Sequence, residues 1–136
     1  MNKDGFSLIE VMVAFSILMV TFISLMGAFP TALSINKGAE NMSIASYLAQ
    51  DKIEELNSDD YEAIATGTIE ARHRLSADTD NSLYRFERET AIYFVDQNLQ
   101  ATSSDTGLKI ASTTVHYTDT YKNNKSYNLK MLISLK

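Results

Sequence analysis

The sequence of 136 residues contains no cysteine and only one proline. Without cysteine, the chain can form neither disulfides nor thiolate metal sites, and it has no cysteine nucleophile. One proline and 45% apolar residues argue against a disordered or collagen-like chain. Lysine and arginine total 12 against 17 aspartates and glutamates, a formal charge of −5. This balance disfavours nucleic acid as a partner, because phosphate requires clustered basic residues.

Charge is also absent from one long stretch near the N-terminus. No charged residue occurs between Glu10 and Lys37, and 21 of the 30 residues from Phe6 to Ile35 are apolar. As a helix, Val11 to Phe29 is about 28 Å long, close to the ~30 Å hydrocarbon core of a bilayer. A helix also satisfies its own backbone hydrogen bonds, as a bilayer demands. The stretch therefore predicts a membrane-spanning helix attached to a small polar domain.

Two other interpretations of this stretch fit the sequence less well. A buried core helix needs cover on every side, which the short and polar remainder of the chain does not supply. A cleaved secretory signal requires a basic start, a shorter apolar run and a cleavage site between small residues. Here Lys3 is cancelled by Asp4, and Gly27-Ala28-Phe29-Pro30 offers no such site.

Large residues recur at heptad spacing within the stretch. One series has methionine every seven residues and the other has phenylalanine, offset by three or four positions. This a/d pattern predicts packing against other helices, because lipid chains accept any apolar side chain and need no seam. The alternative is chance in a segment rich in these residues. The two series are Met12, Met19, Met26 and Leu33, and Leu8, Phe15, Phe22 and Phe29.

A short motif resembles the class III signal of type IV prepilins and type II secretion pseudopilins. It is Gly5-Phe6-Ser7-Leu8-Ile9-Glu10. The resemblance implies cleavage after Gly5 by a prepilin peptidase and N-methylation of the new terminal residue, Phe6. Ala49 to Leu56, followed by Tyr61, also resembles minor pilins of the PilV type. The leader has one basic residue where the family often has several, and the C-terminal cysteine pair of many pilins is missing.

Glu10 is the unusual residue of the apolar stretch. An ionisable group within a membrane costs about 2.5–3.5 kcal/mol on insertion scales, so a function is the default hypothesis. Cleavage would create a cationic amine on Phe6, about one helical turn from Glu10. Glu10 then neutralises its own N-terminus or attracts that of a neighbouring subunit, and the resemblance favours the neighbour. A glutamate that merely reaches the membrane interface is the structural alternative.

Beyond the apolar stretch, we expect a kink or local unwinding near residues 27–30 and an amphipathic helix over 31–57. Its predicted apolar stripe is Ile35, Ala39, Met42, Ala45, Ala49, Ile53 and Leu56, widened by Ile44 and Leu48.

The rest of the chain predicts an antiparallel sheet packed on that stripe. Alternation and β-branched residues predict strands at Leu83–Val95, Leu108–Tyr117 and Ser126–Leu135, with a possible short strand at Thr68–Leu75. The expected fold is α+β and pilin-like, with a long N-terminal helix on three or four strands. Its parts are a leader (1–5), a membrane and assembly helix (6–30), a stem helix (31–57) and a β-rich head (58–136).

Weaker signals concern charged residues. Six acids opposed only by Lys52 fall within residues 51–62, and they predict a solvated face or a docking patch for a basic surface. The stretch Asp78-Thr79-Asp80-Asn81 is predicted to be a surface loop. A calcium site is the weaker interpretation, since the stretch lacks the later glycine and glutamate of an EF-hand. His73 and His116 are predicted to be strand residues. The six acids are Asp51, Glu54, Glu55, Asp59, Asp60 and Glu62.

These features predict a non-enzymatic minor pilin or pseudopilin that enters, primes or caps a type IV pilus-like filament. No cofactor or metal is expected. The resemblance implies other pilins, the prepilin peptidase and methyltransferase, the inner-membrane assembly platform and lipid as partners. It places the chain in the bacterial inner membrane first, and in a periplasmic or extracellular filament afterwards. The alternative is a permanently anchored, single-span binding or sensor domain.

Overall fold

The computed structural model describes residues 7–119 and 122–135. The chain divides into two compact units, Met1–Lys37 and Gly38–Lys136. Helix α1 covers Leu8–Asn57, 50 residues with Pro30 inside it. The expected local unwinding near residues 27–30 is therefore wrong. Proline removes one backbone donor at its own position, and the hydrogen bonds of the neighbouring turns keep the helix continuous.

The second unit, which we call the head, contains an antiparallel sheet in the order β1-β2-β4-β5, with the short β3 paired to β2. A 3-10 helix, Ser82–Arg85, leads into β2, because the Asn81 side chain accepts the Leu83 N–H at 2.9 Å. The strands are β1 Gly67–Arg74, β2 Phe86–Val95, β3 Ala101–Thr102, β4 Leu108–Thr118 and β5 Asn124–Ser134.

These strands confirm the predicted meander. All pairs are antiparallel, from Phe86↔Tyr117 at one end of β2–β4 to Phe94↔Lys109 at the other. The possible strand at Thr68–Leu75 is present as β1, and the fold is the expected α+β one. Two differences are local. β2 begins three residues later than predicted, because the 3-10 helix occupies Ser82–Arg85, and the two-residue β3 was not predicted.

Alternate residues of the sheet pack against the helical part of the head. Two neighbouring clusters form the core, and the helix contributes alanines to the first and larger residues to the second. Small side chains allow the helix backbone to approach the sheet closely. The first cluster contains Ala45, Ala49, Phe86, Val115 and Tyr117, and the second contains Ile53, Leu56, Ile64, Ile92 and Ala111.

The predicted apolar stripe is correct from Ile44 onward and wrong at Ile35, Ala39 and Met42. Ala39 and Met42 are exposed, and Asn41 is buried in their place with 2% exposure. Steps of four residues lead from Asn41 to Ala45 and Ala49, so helix geometry and not side-chain chemistry selects the buried position. The Asn41 Oδ1 atom has no hydrogen-bond partner among the described residues.

A polar network lies between the helix and the sheet. The Arg88 Nε and Nη2 atoms donate to the Glu70 carboxylate at 3.0–3.2 Å, and Nη1 donates to the Leu48 carbonyl at 3.2 Å. Thr90 donates to Glu70 Oε2 at 3.0 Å. The Arg88 and Glu70 side chains are only 12% and 14% exposed. Arg88 thus joins the second and first strands to the backbone of the helix.

Glu70 is ionised in this network at neutral pH. Burial alone would raise its pKa, but hydrogen bonds from Arg88 and Thr90 and the nearby positive charges lower the pKa below its ordinary 4.5. A lowered pKa stabilises the fold above the unfolded-state value, and that stabilisation is lost as the pH falls through the folded-state value.

We predict that Arg88→Met lowers the free energy of unfolding by about 3–5 kcal/mol at pH 7, because it leaves the Glu70 charge buried and unpaired. The cost shrinks as the pH falls through the pKa of Glu70, because a protonated Glu70 carries no charge that needs a partner. Urea unfolding of the full chain in detergent, followed by tyrosine fluorescence, measures both values. The exposed Arg85→Met is the matched control, with an expected change within about 0.5 kcal/mol. Equal losses in the two variants would contradict the prediction.

Candidate functional site

The first turn of α1 holds Glu10, the assembly residue predicted from the sequence. The Ser7 carbonyl accepts the N–H groups of Glu10 and Val11 at 3.0 and 3.2 Å, so the helix begins around Ser7. A carboxylate in a first turn is favoured by the helix dipole. Gly5 and Phe6, the predicted processing residues, lie outside the described residues. Cleavage after Gly5 and the pairing of the Phe6 amine with Glu10 stay predictions.

The apolar part of α1 is uncovered. Its most hydrophobic 18-residue window has a mean hydropathy of 2.4, and 0% of that window is buried. The hydroxyls of Ser16, Thr21 and Ser24 donate to backbone carbonyls of the preceding turn at 2.8, 2.8 and 2.9 Å. These polar groups thus need no water. The segment is suited to lipid or to apolar neighbours.

The two heptad series are available for contact with other helices. All eight of their side chains are exposed, from Met19 at 48% to Leu8 at 80%. Within the part of the chain that the structure describes, the seam therefore has no partner. Packing against neighbouring helices remains a prediction, and it requires a second chain.

The six predicted acids of residues 51–62 are all exposed. Lys52 pairs with Glu55 at 2.8 Å, and Asp51 lies 3.8 Å from Arg88. The last turn of α1 contains no basic residue, so Asp59, Asp60 and Glu62 follow the negative end of the helix dipole with no cation in that turn. The chain then turns through 58–64, which we call the acidic turn because it carries Asp59, Asp60 and Glu62.

A buried lysine anchors the acidic turn. Lys109 is 5% exposed, and its Nζ donates to the Tyr61 and Ile64 carbonyls at 2.8 and 2.7 Å. The same ammonium lies 4.0 Å from the Tyr61 ring centroid. The Tyr61 hydroxyl donates to Asp105 at 2.5 Å. Burial and then Asp105 raise the pKa of Tyr61 to about 12, so the hydroxyl keeps its proton at all ordinary pH values.

Sequence reasoning missed this anchor. Lys109 lies in β4 on the buried face that also carries Ala111 and Val115, and its partners are 45 and 48 residues away in the chain. The sequence did offer one signal for this anchor. Lys109 alternates with Ala111, Val115 and Tyr117, so a charged residue occupies a position of the strand's apolar face. A buried lysine must have partners.

The loop at residues 78–81 is a structural turn in the described chain. Asp78 Oδ1 accepts the Asp80 N–H at 3.0 Å, and Asn81 caps the following 3-10 helix. His73 and His116 lie in β1 and β4 as predicted, and His116 Nε2 is 3.0 Å from Glu89. Over residues 7–119 and 122–135, no three acidic or histidine side chains are grouped to hold a metal ion.

Comparison with known families gives a match at the N-terminus. Residues 1–26 match the family described as the prokaryotic N-terminal methylation motif. The chain carries the prepilin methylation motif. This motif occurs in type IV prepilins and pseudopilins, and the match covers 26 of the 136 residues. No curated protein and no solved structure matches the chain.

The methylation motif has direct consequences. It implies processing by a prepilin peptidase and assembly with other pilins. Together with the hydrophobic helix, it implies anchoring in the inner membrane before assembly.

We predict that Lys109→Met loosens the acidic turn, because two buried carbonyls lose their donor at a cost of about 1–3 kcal/mol each. Hydrogen exchange measured by mass spectrometry on the full chain in detergent should accelerate for the amides of residues 58–64. Amides near the start of the head, at residues 41–49, should keep the wild-type rate. The exposed strand residue Lys130→Met is the control. Unchanged exchange in the turn would show that Lys109 is not its anchor.

Proposed function

We propose that this protein is a minor pilin or pseudopilin, a structural subunit that enters, primes or caps a type IV pilus-like filament. One observation carries the proposal. The methylation motif at residues 1–26 overlaps the start of a helix whose 18-residue apolar window is 0% buried. A chain with this N-terminus and this uncovered helix needs a membrane first and other helices afterwards.

The order of events follows from the residues. Residues 1–5 form the leader, and glycine before the cut, having no Cβ, lets an extended backbone enter the peptidase site. Cleavage exposes the amine of Phe6, whose methylation keeps it cationic. Residues 6–30 then leave lipid for the filament core, at the inner-membrane assembly platform, while 31–57 form the stem that supports the β-rich part at 58–136.

Glu10 gives the transfer its specificity. In a medium of low dielectric, one correct pairing of a carboxylate with an amine is strongly preferred over a shifted one. A Glu10 carboxylate that meets the Phe6 amine of a neighbouring subunit would therefore fix the axial stagger between two helices. Pairing within one chain would neutralise both charges and set no stagger.

The alternative is a permanently anchored binding or sensor domain with one membrane span. It shares the uncovered helix but requires no cleavage. The state of the N-terminus separates the two functions.

We predict that the mature protein purified from its native host begins at N-methylated Phe6. Intact-mass and N-terminal peptide mass spectrometry should show the loss of Met1–Gly5 and the gain of one methyl group. Gly5→Val should block cleavage, because the added side chain obstructs the peptidase site, while Gly38→Val, outside the leader, should leave cleavage unchanged. A native chain that starts at Met1 would support the anchored domain instead.

We also predict that Glu10→Val leaves cleavage at Gly5 intact but reduces incorporation into sheared filaments at least about tenfold, since one pairing preference of about 1.4 kcal/mol already gives that ratio. Quantitative immunoblots of filament and membrane fractions measure the loss. Glu10→Asp, which keeps the charge, should retain part of the incorporation. Glu54→Val removes an acid from the head and is the matched control. Normal assembly of Glu10→Val would refute the pairing.

A further inference from the structure

The outer face of the head's sheet carries an arginine-rich pocket. It lies where β1 and β4 end and β5 begins, on the face opposite the buried Phe86 and Val115. Its volume is about 460 Å³. Arginine, tyrosine, glutamate and histidine side chains line it, among them Arg72, Arg74, Tyr84, Arg85, Glu87 and His116. We call it the arginine pocket.

The arginines are held in place by groups within the pocket. Arg72 Nε donates to Glu87 Oε2 at 2.6 Å, and Arg74 Nε donates to Oε1 at 3.3 Å. The Arg74 guanidinium also lies 4.4 Å from the Tyr84 ring centroid. Among the described residues, the terminal nitrogens of both arginines have no hydrogen-bond partner. Two oriented guanidinium groups thus offer their outer edges to a ligand.

The chemistry of the pocket selects an anion. Three arginines and one glutamate give its lining a formal charge of +2 with His116 neutral, although the whole chain carries −5. The Arg72 and Arg74 side chains are about half exposed. Guanidinium groups bind carboxylates and phosphates through paired hydrogen bonds. The pocket is therefore built for planar or multidentate oxyanions.

The opposite end of the same sheet carries the complementary charge. The acidic turn lies in a groove beside Leu132–Leu135, at the end of β5, whereas Asn124 at the start of β5 lines the arginine pocket. At about 3.4 Å a residue, the two ends are roughly 30 Å apart. Asp59, Asp60 and Glu62 are exposed there, on a turn that Lys109 fixes.

We propose that the arginine pocket of one copy receives the acidic turn of a second copy of this chain. The two surfaces sit at opposite ends of one head, so the contact is head to tail. Such a contact repeats into an open series when it does not close into a ring, which is the geometry of a helical filament. The inference deepens the proposed function by supplying a contact between heads. A polyanion such as nucleic acid is the weaker candidate, since the chain's charge of −5 repels it.

The experiment uses the full chain in a non-ionic detergent at about 50 mM salt, where surface charges are weakly screened. Sedimentation velocity should show concentration-dependent association that weakens as salt is added. The pocket variant, Arg72→Glu with Arg85→Glu, preserves the Arg74–Glu87 pair. The turn variant is Asp59→Lys with Asp60→Lys. Each variant alone should associate at least about tenfold more weakly than the wild type.

Mixing the two variants provides the decisive result. The reversed pocket of one faces the reversed turn of the other, and their unreversed surfaces also match, so the mixture should regain wild-type association. Far-ultraviolet circular dichroism confirms that each variant is folded. If a variant fails to fold, the singles Arg85→Glu and Asp60→Lys replace it. A mixture that stays unassociated would overturn the proposal.

Matched controls separate this contact from other causes. Lys130→Glu reverses a charge on the same sheet face and should leave association unchanged, in contrast to the single Arg72→Glu. Binding of a single-stranded oligonucleotide by the pocket, with no association between copies, would also overturn the proposal. Cleavage at Gly5 and methylation of Phe6 should be normal in every variant, so failure here is distinguishable from failure of the proposed function.

Discussion

The constraint that governs this molecule is apolar surface that its own chain does not cover. From Leu8 to Phe29, the large side chains of the helix are exposed, although an aqueous protein would bury them. Lipid or other helices must therefore complete the structure. The same constraint makes Glu10 intelligible, because a carboxylate has a strong preference for one partner only where water does not compete. Hydroxyls that bond back to their own helix show that the remaining polar groups are already satisfied.

In the head, the choice of small helix residues has a further consequence. Ala45 and Ala49 let the helix backbone lie close to the sheet, and this brings the Leu48 carbonyl within 3.2 Å of Arg88. The arginine can then bind Glu70 and the helix together. A larger stripe would increase the apolar contact but hold the backbone beyond the reach of the guanidinium. Hydrogen bonds from Arg88 thus attach the helix to the sheet in addition to the apolar core. The Arg88 charge is balanced only when Glu70 is ionised.

Local pattern was sufficient to predict the elements of this fold. Alternation identified the three long strands, and helical periodicity identified the buried positions from Ala45 to Leu56, because each signal depends on neighbours in sequence. The features that pattern missed depend on distant partners. From the sequence alone, Lys109 is a charge without a partner, because the Tyr61 and Ile64 carbonyls that bind it are distant in the chain. Arg88 likewise resembles a surface residue, because only the fold places Glu70 beside it. Asn41 is buried because its position on the helix faces the sheet, although its side chain is polar. The arginine pocket, likewise, is assembled from four separate segments.

Charge distribution in the head is costly to the isolated chain. Acids gather where the helix dipole is negative, and no basic residue stands in the last turn to offset them. At the other end of the sheet, Arg72 and Arg74 share the single carboxylate of Glu87. Neither arrangement is explained by stability of one copy, since exchanging a few charges between the ends would relieve both. In the proposed contact between two copies, the acids of one end meet the arginines of the other, so each set of charges gains partners of opposite sign.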